Sequence, residues 1–174
     1  MRAITACPLP EDALLRAELK GGAFADCYTT QIARPVSQAQ YVEAFYTTAL
    51  FGVERRLLQW FLAKPSTDLQ ARELARGATD AFAAWVVAKR GQDQLLLADF
   101  TGRTMSWLMV AASDTGDAAR TRLYFGSAVL PVKRAGSEPP TLGLSFRLLL
   151  GFHKLYSRSL LYAARSRLER SREQ

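Results

Sequence analysis

The chain has 174 residues, 49% hydrophobic and 22% charged, a length and balance that suit one globular domain and exclude a disordered chain. Its net charge of +7 is concentrated late: from Arg147 onward seven basic residues (Arg147, Lys154, Arg158, Arg165, Arg167, Arg170, Arg172) face two acidic ones, Glu169 and Glu173. No aromatic–basic interleaving accompanies them, so nucleic acid is not expected as a partner; the basic segment reads as a solvated helix face, with peripheral membrane contact as its alternative.

The opening "MRAITACPLPEDALLR" carries one arginine followed by prolines and acids, which is not the pattern of a signal peptide. Residues 1–22 read as an N-terminal extension with a short helix at Glu11–Lys20, closed by Gly21 and Gly22. Cys7 and Cys27 lack CxxC spacing and a neighbouring histidine, so no metal site and no cofactor are expected, while a single disulfide stays open. "AFADCYTTQI" (23–32), rich in aromatic and β-branched residues, reads as the first strand.

Ser37 and Gln40 then form an S-x-x-Q capping box ahead of "YVEAFYTTALFGVERRLLQWFLAKP". Tyr41, Ala44, Phe45 and Thr48 share a face; Gly52 is expected to divide the run into a helix pair, and Pro65 to end it. Residues 66–80 read as another short helix stopped by Gly77. From Asp80 the period changes to two. "AFAAWVVAK", "QLLLADF", "TMSWLMVAA" and "RTRLYFGSAVLPV" read as consecutive strands joined by "RGQD", "TGR" and "SDTGDAA", an antiparallel meander. "KRAGSEPP" is a loop, and Thr141 caps a final helix over 142–170, about 43 Å long. Its stripe runs Leu142, Phe146, Leu149, His153, Tyr156, Leu160 and Ala164, and residues 165–174 read as a frayed basic tail. The window 142–162 is apolar but contains Arg147, His153, Lys154 and Arg158, too many ionisable groups for a bilayer span. A cytoplasmic chain is expected.

The class is therefore α+β: a curved antiparallel sheet wrapped on a long C-terminal helix, with a helix pair after the first strand. "DAFAAWVV", "QLLLADFTGRTMSWLMV", "TRLYFGSAVLP" and "LLLGFHKLYSRSLLYAA" resemble an uncharacterised bacterial family of small proteins, itself similar to the START/SRPBCC-like (Bet v 1-like, helix-grip) superfamily. That resemblance, over residues 23–164, implies a mostly apolar cavity between sheet and C-terminal helix. It implies binding of lipids, sterols, polyketides or hydrophobic hormones, with cyclases and aromatases among the members. One departure is that the strand region is short for a full superfamily sheet.

Alternation puts Met105, Trp107 and Met109 on one face of their strand, large and adaptable enough for a cavity wall, although plain core packing is the favoured reading for any one of them. Trp85 is in the same position. Gly126 permits a bend of the sheet over the helix. Arg103 either pairs with Asp99 across the "DFTGRT" turn or reaches the cavity mouth to hold a ligand carboxylate or phosphate. Phe146, Leu149, His153 and Tyr156 face the sheet from the helix. His153, the chain's single histidine, is a satisfied core imidazole, a ligand contact, or an acid/base partnered by Asp99, Asp26 or Tyr124. Lys154 and Arg158 point to solvent. Three functions follow: binding of a small hydrophobic or amphipathic molecule, a cyclase- or isomerase-like enzyme using His153, and a membrane-surface or protein-interaction domain using the basic helix.

Overall fold

A computed structural model describes residues 3–19, 23–53, 66–113, 120–130 and 144–171, with only the helical backbone for 144–153. Among the described residues seven strands form one antiparallel sheet: β1 (Thr5–Ala6), β2 (Phe24–Ile32), β3 (Ala81–Phe82), β4 (Trp85–Arg90), β5 (Gln94–Asp99), β6 (Thr104–Ser113) and β7 (Arg120–Val129). Their spatial order is β1-β2-β7-β6-β5-β4-β3, so the meander β3–β7 is extended by the early strand β2 pairing with β7. The helices are α1 (Gln38–Tyr46), α2 (Asp68–Arg76) and α3 (Leu144–Arg170). This is the expected α+β architecture, with helices after the first long strand and one long helix at the end.

Local chemistry sets the boundaries. Ser37 and Gln40 make the expected capping box of α1, and Thr67 and Gln70 make a second one on α2. Gly77 ends α2 with φ +76°, a conformation that costs glycine nothing. The break after α1 lies at Thr47 and Thr48, not at Gly52. Both hydroxyls bond back to helix carbonyls (Thr47 Oγ1 to Glu43 O at 2.6 Å, Thr48 Oγ1 to Phe45 O at 3.0 Å), and residues 49–53 are again helical. Pro65 and the second half of the expected helix pair lie outside the described residues. The single strand expected over 81–89 is two strands, because Ala83 turns the chain with φ +54°.

Both faces of the sheet are covered. The helices lie on one, where Leu95, Leu97, Leu108, Leu123 and Phe125 pack against α1, α2 and the C-terminal half of α3. α1 supplies Tyr41, Phe45 and Tyr46, each no more than 1% exposed; Phe45 lies 4.9 Å from Phe125 between ring centroids. On the opposite face residues 7–19 form a cover. Its 3-10 turn at Leu14–Glu18, in place of the expected helix, buries Leu15 on Cys27, Leu96 and Trp107.

The tail expected to fray from residue 165 is helix through Arg170 and is anchored. Leu168 is buried, Arg34 donates to its carbonyl at 2.8 Å, and Arg165 holds Glu169 at 2.9 Å and Thr30 Oγ1 at 3.3 Å. The buried stripe of α3 runs through Ser157, Leu160, Leu161, Ala164, Arg165 and Leu168, with Tyr156 at its margin. No helix among the described residues is long and apolar enough to cross a membrane.

Candidate functional site

The helix side of the sheet carries one polar row inside an apolar surround. Register aligns Leu97, Ser106, Ser127 and Asp26 across β5, β6, β7 and β2. The row beside it is Leu95, Leu108, Phe125 and Tyr28. Ser127 donates its hydroxyl to Asp26 Oδ1 at 2.5 Å, and Ser106 shares a hydrogen bond of 3.1 Å with the Tyr46 hydroxyl from α1. Ser106, Ser127 and Tyr46 are all buried. Tyr28 bonds the Asp26 carboxylate; burial first, then that negative charge, pushes its phenol up to about 12. The row therefore holds a hydrogen-bond-accepting carboxylate and several hydroxyls in a largely buried setting.

Among the buried polar atoms on this side without a protein partner among the described residues are the indole Nε1 of Trp85 on β4 and the hydroxyl of Ser157 on α3, together with Gln38 Oε1 on α1 and Arg34 Nε. Ser157 is 1% exposed, and Trp85 packs against the helix-side core. A buried donor left without an acceptor costs about 1–3 kcal/mol, so such atoms mark places where a ligand or water completes the hydrogen bonding.

The predicted residues divide between the two faces. Trp85 and Tyr156 are on the helix side. Met105, Trp107 and Met109 are not: they point away from α3 and pack under residues 7–19, so they line no space beneath that helix. The sheet is buried on both sides, and the larger set of side chains belongs to the N-terminal cover. Gly126 is on that second face too. A Cβ there would stand 2.9 Å from Trp107 Cε3 and 3.2 Å from Leu15, so its bareness gives room to the indole instead of bending the sheet over the helix.

Tyr124 also lies on the second face, its ring 6.2 Å from that of Trp107, which removes it as a partner for groups on α3. Asp99 and Arg103 do not form the expected ion pair. The Asp99 carboxylate accepts from the Arg103 and Thr104 amides at 2.8 and 3.2 Å and from Thr101 Oγ1, closing the turn, while the Arg103 side chain is exposed. Phe146, Leu149 and His153 lie on the α3 backbone, and their side chains are outside the described residues. Lys154 and Arg158 are exposed as expected, beside Leu155 and Tyr162, which are 65% and 49% exposed.

Reading the sequence missed Ser106, Ser127, Tyr46 and Ser157. Their only sequence signal is a small polar residue at an alternating position within an otherwise apolar strand or helix.

No family model matches the chain, and no curated protein matches it. Among solved structures it is similar to CalU16 from Micromonospora echinospora, at 17% identity over 97% of this chain and 93% of that one, with a TM-score of 0.31. The fold assignment rests on the strand register and helix packing above.

Proposed function

We propose that the chain binds a small hydrophobic or amphipathic molecule between the helix side of the sheet and α3. The observation that carries this reading is the pair of buried polar atoms, Trp85 Nε1 and Ser157 Oγ, without protein partners among the described residues and set within an aromatic and aliphatic surround. A mostly apolar ligand with one or two polar groups is the chemistry that would satisfy them. The Asp26–Ser127 and Tyr46–Ser106 pairs would orient its polar end. A lipid-like ligand fits this description, and we place the chain in the cytoplasm, where its two thiols would stay reduced. Native mass spectrometry of protein purified from its host without organic extraction tests the reading. The expected result is an added mass that vanishes on denaturation; a bare chain under both conditions overturns it.

A second reading, acid/base catalysis by His153, is favoured by one observation. Of its proposed partners, Tyr124 is on the wrong face and Asp99 is engaged in its turn, which leaves Asp26 facing α3. His153 is the chain's single histidine, so its imidazole titration is directly readable by proton NMR. Pairing with Asp26 would raise the imidazole pKa, and Asp26→Asn would lower it. An imidazole titration unmoved by Asp26→Asn removes this reading.

A further inference from the structure

We propose that Cys7 and Cys27 form an oxidisable dithiol in which Cys7 reacts with a hydroperoxide and Cys27 resolves the product as an intramolecular disulfide. The pairing of β1 with β2 continues one residue past Ala6: the Cys7 amide donates to the Cys27 carbonyl at 3.0 Å, and the two sulfurs stand 3.4 Å apart as free thiols. Strand pairing therefore fixes the contact, although twenty positions separate the residues. A disulfide closes the sulfurs to about 2.0 Å.

The two thiols are not equivalent. Cys27 is 5% exposed under the N-terminal cover, whereas Cys7 is half-buried. Both line an open pocket of about 440 Å³ at the sheet edge, with Pro8, Leu9, Leu19 and Ala25 as apolar walls. A hydrogen bond from the Cys27 thiol holds Cys7 below the ordinary thiol range; burial opposes this and the Arg122 cation adds to it. Cys27 is pushed far up by its bond to Cys7 and by burial, so it stays protonated. Cys7 is the more exposed of the two and the one a peroxide reaches from the pocket, and attack is assigned to it as the thiolate.

In the first step the Cys7 thiolate attacks the peroxide oxygen, the O–O bond breaks, and the alkoxide leaves as the alcohol after taking one proton. Cys7 becomes a sulfenic acid. In the second, the Cys27 sulfur attacks the Cys7 sulfur, the S–O bond breaks, and the hydroxyl leaves as water with the Cys27 proton. Two thiols are oxidised and one hydroperoxide is reduced to alcohol and water. The product covalently ties the start of residues 7–19 to the sheet.

The test uses the full chain treated with cumene hydroperoxide and analysed by intact mass and peptide mapping. The expected product has lost two hydrogens, contains a Cys7–Cys27 disulfide, and reverts with dithiothreitol. In Cys27→Ser, dimedone should trap a sulfenic acid at Cys7. In Cys7→Ser, thiol consumption should fall by at least about tenfold, as removal of the thiolate requires. Cys27→Ala and Cys7→Ala, checked for unchanged circular dichroism, stand in should either serine variant fail to fold. Unreacted thiols, disulfide-linked dimers, or dimedone labelling of Cys27 in place of Cys7 would each overturn the proposal.

Discussion

The Gln94 carboxamide oxygen accepts two hydrogen bonds at 2.9 Å, one from the indole of Trp107 and one from the amide of Leu14, while its nitrogen donates to Asp12 O at 3.1 Å. One buried side chain thus satisfies the largest residue of the second face and fastens residues 7–19 over it. Gln94→Leu leaves the indole and the Leu14 amide without an acceptor. It should lower stability by about 1–3 kcal/mol, read from the urea midpoint. Proteolysis within residues 7–19 should accelerate in the same variant.

Gly126 and Ala83 make opposite predictions. Gly126→Ala places a methyl 2.9 Å from Trp107 Cε3, and the overpacking should cost about 1–3 kcal/mol. Ala83 has φ +54°, and Ala83→Gly should raise stability by about 0.5–1 kcal/mol, because glycine adopts that conformation without Cβ strain. Thermal unfolding of the two variants checks both signs.

Tyr28 supplies a pH prediction. Its folded pKa is raised from 10.0 to about 12, so folding favours the neutral phenol. Its stabilising contribution is complete below pH 10.0 and is lost as pH rises through about 12. Stability should fall across that window, and ultraviolet titration should show one late phenolate. Asp26→Asn removes the neighbouring charge and should bring that phenolate earlier.

The anchor on α3 is testable by Arg34→Ala. Losing the hydrogen bond to Leu168 O should cost about 1–2 kcal/mol and increase amide exchange in the last turns of α3.

The capped start of the first helix, the Gly77 stop and the meander were legible in the sequence, because Ser37, Gly77 and the change of period at Asp80 carry local signals. The choice of sheet face was not. Residues 105–110 of β6 are buried without interruption, so alternation separates two sets of side chains without saying which set meets α3. Met105, Trp107 and Met109 look like a cavity wall by size, yet the deciding fact is that residues 7–19 fold back over them. Long-range contacts such as Gln94 to Leu14, eighty residues apart, leave no periodic trace. The polar row had the same difficulty: Asp26, Ser106 and Ser127 become one feature only through strand register.

The proposed ligand site lies on the face carrying Trp85 and not on the face carrying Trp107. Dibromostearate quenches tryptophan only at short range, and Trp60→Phe gives a background with two reporters, one on each face. Adding Trp107→Phe isolates Trp85, whose emission should be quenched saturably; adding Trp85→Phe isolates Trp107, whose emission should not change. Quenching of Trp107 with Trp85 unaffected, or saturable quenching of neither, would contradict the account.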